Sequence, residues 1–196
     1  LRDDAIVVAP ATWNESVWRQ RSQIENLAGL LIDLKRVYNI DENRAYLLGV
    51  SDGATGAYYQ AFKATTVWAG FLVFIGHPAV LSNPRSGVDG EMHVVNLRGK
   101  PFFVVTGAHD RMYPAAVVEP YVRLFGEAGI DVDFRPKHDA GHDLICQISD
   151  FFTPENCIVY ELGTSTGALA EKFLSYVRTK NRSDIKYIGM DVVESM

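Results

Sequence analysis

Apolar and polar positions follow two alternating periods along most of this chain. Short apolar runs rich in β-branched or aromatic residues are typical of buried strands. Between them, apolar residues recur every three or four positions, as in amphipathic helices. The pattern predicts strands at residues 5–10, 45–50, 69–75, 101–106 and 132–135, and helices at 16–38, from 53 onwards and at 115–128. This alternation indicates an α/β fold with a mostly parallel sheet and flanking helices.

The pattern starts afresh near residue 144. A predicted strand at 157–162 is followed by a glycine-rich turn, a helix that runs to about residue 180, and a strand at 185–190. This order is that of a Rossmann-like βαβ unit. We therefore predict two regions, residues 1–144 and residues 145–196.

A serine flanked by glycines ends the second predicted strand. In the segment Gly49-Val50-Ser51-Asp52-Gly53, the glycines would let the backbone pack closely in a tight strand-to-helix turn. Such a turn presents the Ser51 hydroxyl as a nucleophile, and the backbone N–H of Asp52 would face a developing oxyanion. The alternative interpretation is a serine in an ordinary glycine turn, but the flanking strand and helix favour the nucleophile.

A serine nucleophile needs a base, and the base needs an acid that orients it. Asp110 follows the predicted strand at 101–106, and His142 follows the predicted strand at 132–135. Both would therefore lie at the carboxyl edge of the sheet, where open α/β sheets place their sites. The alternatives are His109 or His138 as the base, and Asp139 or Asp143 as the acid, although the last two flank the histidine itself.

These residues carry a resemblance to a known superfamily. The segments NIDENRAYLLGVSDGATGAYYQAF, KPFFVVTGAHDRMYP and DAGHD are similar to the polyhydroxybutyrate-depolymerase or esterase-like and dienelactone-hydrolase-like branch of the α/β-hydrolases. The resemblance covers residues 5–143. It implies a catalytic triad of Ser51, Asp110 and His142, an acyl-enzyme formed on Ser51 from a small ester or amide substrate, and no cofactor.

The resemblance also implies a partial fold. The first strands of the family, and the loop that supplies its second oxyanion donor, would precede residue 1. Their absence would leave a sheet edge uncovered, through which an oligomer could form.

A second glycine-rich turn follows the predicted strand at 157–162. Its Glu161, Gly163 and Gly167 form an acid-x-Gly-x-x-x-Gly pattern that lets the backbone approach a nucleotide-like cofactor closely. Asp191 ends the next predicted strand, where a carboxylate can accept hydrogen bonds from ribose hydroxyls. The alternative interpretation is a glycine turn in a generic βαβ unit.

The segment from VYELGTSTGALAEKF to YIGMDVVESM resembles the N-terminal βαβ unit of class I S-adenosylmethionine-dependent methyltransferases. The resemblance implies that Glu161, Gly163, Gly167 and Asp191 bind S-adenosylmethionine. Because it covers only the first part of such an enzyme, methyl transfer by this segment alone is not expected.

Composition narrows the classes of partner. A net charge of −5 gives no reason to expect nucleic acid. No apolar run reaches the roughly 18 residues of a membrane helix, so no membrane partner is expected. The two cysteines are compatible with a reducing compartment, which favours the cytoplasm.

His77 and His93 lack a metal-ligand spacing, so we expect no metal site and interpret both as ordinary loop or sheet histidines.

Three hypotheses follow for the function. The first is a serine hydrolase, an esterase or peptidase-like enzyme in which His142 deprotonates Ser51. The second is a methyltransferase-type module that binds S-adenosylmethionine. The third is a fusion of two family fragments with little activity of its own, since the head of one fold and the tail of the other are missing.

Overall fold

The computed structural model describes residues 16–83 and 91–142, together with residues 8, 10, 12, 158–159 and 186–187. The chain divides into two compact units, one of residues 15–142 and one that combines residues 1–14 with residues 143–196. The predicted boundary at residue 144 lies just outside the described residues and stays a prediction.

The larger unit is built on a four-stranded sheet in the order β1-β2-β3-β4. The strands are β1 (Tyr46–Val50), β2 (Gly70–Phe74), β3 (Phe102–Gly107) and β4 (Val132–Lys137). Every neighbouring pair is parallel, so all the carboxyl ends lie at one edge. The predicted α/β class with a mostly parallel sheet is confirmed.

The described helices are α1 (Arg21–Val37), α2 (Asp52–Lys63) and α3 (Ala115–Glu127). Each lies close to its predicted position, except that α1 begins at residue 21 and not at 16. The residues before it form a turn closed by a 2.9 Å hydrogen bond from the Gln20 N–H to the Val17 carbonyl. This turn is attached to the start of α2, a contact that helical periodicity does not encode.

The core of this unit is aromatic. Ring centroids lie 5.7 Å apart for Tyr58 and Phe102 and 5.7 Å apart for Phe62 and Phe125, both at edge-on angles. All of these side chains are fully buried, and burial of one large apolar side chain stabilises a fold by about 1.5–3 kcal/mol. Small residues at the start of α2 let this helix lie close to β1 and β2.

β1 is an edge strand within the described sheet, and its Tyr46 is 55% exposed. The other edge is β4, in which exposed residues alternate with half-buried ones. The two central strands are the most buried, as expected for a parallel sheet covered by helices.

The smaller unit contains a parallel pair of short strands, β5 (Ile158–Val159) and β6 (Lys186–Tyr187). Each lies within one of the strands predicted for the βαβ unit. The turn and helix predicted between them lie outside the described residues. Of the first predicted strand, only Val8 and Pro10 are described, and neither belongs to a strand.

Candidate active site

Ser51 stands in a strained turn between β1 and α2. Its φ of 54° and ψ of −115° are unusual for a residue with a side chain. Strain of this kind costs about 1–3 kcal/mol and persists only where neighbouring contacts hold it. Here the Ser51 N–H donates to the Phe74 carbonyl at 3.0 Å, which ties the turn to the end of β2.

The need for glycine in this turn is visible at Gly49. A Cβ atom at this position would collide with the carbonyl group of Gly53, on the far side of the serine. The first glycine of the motif is therefore fixed by the close approach of the two backbone segments.

Ser51, His142 and Asp110 are joined by hydrogen bonds. Ser51 Oγ lies 2.9 Å from His142 Nε2, and His142 Nδ1 lies 2.8 Å from Asp110 Oδ2. An ionised carboxylate can only accept a hydrogen bond, so the Nδ1–H of the histidine donates to Asp110. In the neutral ring Nε2 then has a lone pair, and it accepts from the Ser51 hydroxyl.

The Asp110 carboxylate is buried and fully hydrogen-bonded. Oδ1 accepts from the backbone N–H groups of Met112 at 2.7 Å and Tyr113 at 2.9 Å, while Oδ2 accepts from His142. Burial by itself would raise the pKa of Asp110, but these hydrogen bonds and the nearby histidine outweigh it and hold the pKa below its ordinary value. The carboxylate is therefore ionised at neutral pH.

Backbone hydrogen bonds join the loop that carries Asp110 to the loop that carries His142. The His109 N–H donates to the Ala140 carbonyl at 3.0 Å, and the Ala108 N–H donates to the Lys137 carbonyl at 2.9 Å. Gly107, at the end of β3, lies so close to Ala140 that a Cβ atom would strike its carbonyl. These contacts fix the separation between the two loops.

The side chain of Asp52 has a role that the sequence does not indicate. Oδ2 accepts from the Trp18 N–H at 3.0 Å, and Oδ1 pairs with the Arg19 guanidinium at 3.3 Å. The residue that follows Ser51 thus holds the turn before α1 against the start of α2. The Trp18 side chain completes the contact, because its Cβ occupies the space that a Cβ on Gly56 would need.

The rival residues lie elsewhere. His109, His138 and Asp139 are exposed, and among the described residues the Ser51 hydroxyl is hydrogen-bonded to the ring of His142. Asp143 lies outside the described residues.

The residues predicted to bind S-adenosylmethionine also lie outside the described residues: Glu161, Gly163, Gly167 and Asp191. Within the part of the chain that the structure describes, no three His, Cys, Asp or Glu side chains cluster as metal ligands would. No helix in that part is long and apolar enough to span a membrane.

Comparison with known proteins gives structural matches only. No protein-family model matches the chain, and no curated protein matches it either. A thermostable esterase superimposes with a TM-score of 0.51 at 21% identity, over 63% of this chain and 30% of its own. The acylaminoacyl peptidase of Pyrococcus horikoshii superimposes with a TM-score of 0.51 at 12% identity, over 63% of this chain and 24% of its own. The dipeptidyl peptidase 4 of Porphyromonas gingivalis superimposes with a TM-score of 0.50 at 11% identity, over 61% of this chain and 19% of its own.

The chain spans less than a third of the length of each of these proteins. At such identities a likeness shows the fold alone. The comparisons give no support to the predicted methyltransferase-like unit. The parallel sheet and its helices, together with these likenesses, show that the chain contains part of an α/β-hydrolase fold.

Proposed function

We propose that this protein is a serine hydrolase that cleaves carboxylic esters or amides through an acyl-enzyme on Ser51. One observation carries the proposal: the hydrogen-bonded series from Ser51 Oγ through His142 to Asp110, at 2.9 and 2.8 Å. Nucleophile, base and orienting acid are all within hydrogen-bond reach, which is the geometry that this chemistry requires.

In the acylation step each of these groups has its own role, and His142 acts first as a base and then as an acid. Ser51 Oγ attacks the carbonyl carbon while its proton passes to His142 Nε2. Asp110 stabilises the imidazolium that forms, and the backbone N–H of Asp52, at the start of α2, faces the oxyanion. His142 then gives the proton to the leaving oxygen or nitrogen, and the C–O or C–N bond breaks.

Hydrolysis of the acyl-enzyme repeats these roles with water. His142 takes a proton from the water, whose oxygen attacks the acyl carbon, and returns it to Ser51 Oγ as the acid leaves. No cofactor is required. Esterases and peptidases among proteins of similar fold support an ester or amide as the substrate class.

Covalent labelling tests the proposal directly. A fluorophosphonate probe should label the wild-type protein, and Ser51→Ala should abolish the labelling because the attacking oxygen is gone. Asp139→Ala is the matched control, since Asp139 is exposed and close to His142 in sequence, and it should label like the wild type. A folded wild-type sample that takes up no probe, and that fails to hydrolyse p-nitrophenyl acetate, would contradict the proposal.

The other two hypotheses stay predictions. S-adenosylmethionine binding depends on Glu161, Gly163, Gly167 and Asp191, all outside the described residues. Calorimetric titration of S-adenosylmethionine into wild-type and Asp191→Ala protein would test it. No described contact favours it, and none favours an inactive fusion.

A further inference from the structure

An aromatic ring stands beside the candidate base. The centroid of the Tyr113 ring lies 6.2 Å from that of His142, with the two planes tilted by 50°. The backbone on both sides of this ring is fixed, because the Tyr113 N–H donates to Asp110 and its carbonyl accepts from Thr106 Oγ1 at 2.8 Å. The backbone of Tyr113 is therefore held at both its N–H and its carbonyl.

Two further rings continue from Tyr113. The His77 ring lies 6.0 Å from Tyr113, and Tyr121 lies 5.0 Å from His77 in an edge-on arrangement. We call His77, Tyr113 and Tyr121 the aromatic shelf. All of its members are half-buried, so each has one part packed and another part accessible.

Both nitrogens of His77 are engaged. Nδ1 accepts from the Ala79 N–H at 3.1 Å, so the Nε2–H is the one that donates to the Val117 carbonyl at 3.2 Å. Burial lowers the pKa of His77, although the bond to Val117 acts in the opposite direction. At neutral pH the ring is thus an uncharged aromatic surface with no hydrogen-bonding atom left for a polar ligand.

A strained turn carries His77 to this position. Ile75, at the end of β2, has a φ of 47°, which is a true outlier for a β-branched residue. Gly76 then passes so close to Ala54 of α2 that a Cβ atom would collide with its side chain. Strain that is held in place by packing is a feature of binding and active sites.

The surroundings of the shelf are apolar as well. Met112 is 61% exposed and Val117 is 44% exposed, and both adjoin shelf residues in the chain or through a hydrogen bond. An accessible aromatic and apolar surface beside a nucleophile and its base has the chemistry needed to contact an apolar part of a substrate.

The chemistry of the site decides which part of the substrate it contacts. His142 must deliver a proton to the leaving oxygen, so that oxygen comes within hydrogen-bond distance of Nε2. Whatever is attached to the leaving oxygen then lies close to the His142 ring, and the Tyr113 ring is a neighbour of that ring at 6.2 Å between centroids.

We propose that the aromatic shelf binds the alcohol half of ester substrates and selects alcohols that carry an aromatic ring. This inference rests on the proposed hydrolase function and names its substrate class. A ring–ring contact is worth roughly 2- to 10-fold in affinity, so the selection should be measurable.

The kinetic test compares esters that differ in the position of one ring. Benzyl acetate has the ring in the alcohol half, ethyl phenylacetate has it in the acyl half, and ethyl acetate has none. We expect kcat/KM to be about 2- to 10-fold higher for benzyl acetate than for ethyl acetate. Tyr113→Ala should reduce this ratio to near unity, and His77→Asn should reduce it in part, while the ratio of ethyl phenylacetate to ethyl acetate stays the same.

Tyr38→Ala is the control, because Tyr38 is an exposed aromatic residue that follows α1. Its kcat/KM ratios should equal those of the wild type. His77→Asn keeps a side chain that can accept from the Ala79 N–H, so it tests the shelf even if Tyr113→Ala does not fold. A benzyl-to-ethyl ratio that is unchanged in both shelf variants would overturn the inference.

Binding gives a readout that does not depend on catalysis. In Ser51→Ala protein, benzyl acetate should shift the ring NMR signals of His77, and ethyl acetate at the same concentration should not. Equal effects of the two esters, or none, would overturn the shelf proposal even in an active enzyme. If benzyl acetate alone shifts the His77 signals but the wild-type protein hydrolyses no ester, the shelf is still a binding site. Only the proposed hydrolase function would then be wrong.

Discussion

At the scale of single residues, Asp110 shows how one buried carboxylate sets the geometry of the candidate site. One of its oxygens accepts from two backbone N–H groups, and the other orients His142. The acid therefore fixes both the tautomer of the histidine and the path of the loop that follows. Ser51, Asp110 and His142 can be found from the sequence because a motif and a chain order mark them. The contacts of His77 and Tyr113 cannot, since they depend on the backbone turn at Ile75.

Asp110→Asn should lower kcat/KM for ester hydrolysis by about 10³- to 10⁴-fold, because an amide can present a donor to His142 and favour the wrong tautomer. The variant should also lack the pH-dependent stability that the ionised carboxylate gives the wild type. Since the folded-state pKa lies below the ordinary value of 3.8, the wild-type carboxylate adds stability above that pH and loses it as pH falls through the folded value. Steady-state kinetics at pH 7 measure the first effect, and urea unfolding at pH 7 and pH 3 measures the second. Asp139→Asn is the exposed control, and equal activity of the two variants would contradict the role of Asp110.

Tyr58 is a buried residue with an unsatisfied group. Its hydroxyl has no hydrogen-bond partner among the described residues, and burial raises its pKa. A buried polar atom without a partner costs about 1–3 kcal/mol, so Tyr58→Phe should raise the free energy of unfolding by about 1 kcal/mol. Urea denaturation measures it, with Tyr38→Phe at an exposed position as the control. A clear loss of stability in Tyr58→Phe would show that the hydroxyl has a partner.

At the scale of elements, strands and helices follow the apolar periodicity closely, because burial of a strand or of one helix face is a local pattern. The exception is informative: α1 begins at Arg21 and not at residue 16. The Trp18 N–H and the Arg19 side chain donate hydrogen bonds to Asp52, a residue more than thirty positions away. A contact of that kind is decided by the packing of elements, which no local pattern records.

Gly107 connects two elements of the site. It ends β3, and a Cβ atom there would strike the Ala140 carbonyl in the loop that carries His142. Gly107→Ala should push that loop away, lowering stability by about 1–3 kcal/mol and kcat/KM by about 100-fold. Urea denaturation and ester hydrolysis measure these losses. Gly126→Ala is the matched control, because Gly126 lies in α3 with open space around it and should gain up to about 1 kcal/mol. The same kinetic behaviour in both variants would disprove the positioning role of Gly107.

At the scale of the whole molecule, the parallel arrangement of the strands explains why residues far apart in sequence meet. Ser51 follows β1, His77 follows β2, Asp110 follows β3 and His142 follows β4, so one edge of the sheet collects all of them. The alternation of strands and helices is sufficient to predict this edge. It is not sufficient to predict which histidine meets the serine, because that depends on how the loops are fastened at Gly107 and Ala140.

His77, which lies at the same edge of the sheet, makes the free energy of unfolding depend on pH. Burial lowers its folded-state pKa from 6.5, and among the described residues the hydrogen-bonding and ring partners of its imidazole are uncharged: the Ala79 N–H, the Val117 carbonyl, and the rings of Tyr113 and Tyr121. The unfolded chain therefore binds a proton more readily, and the free energy of unfolding should fall as pH drops below about 6.5. His77→Asn removes this titration and keeps an acceptor for the Ala79 N–H. Urea unfolding at pH 7.5 and pH 5.5 should show a smaller loss in His77→Asn than in the wild type or in the exposed control His138→Asn. An identical loss in all three proteins would show that His77 titrates alike in both states.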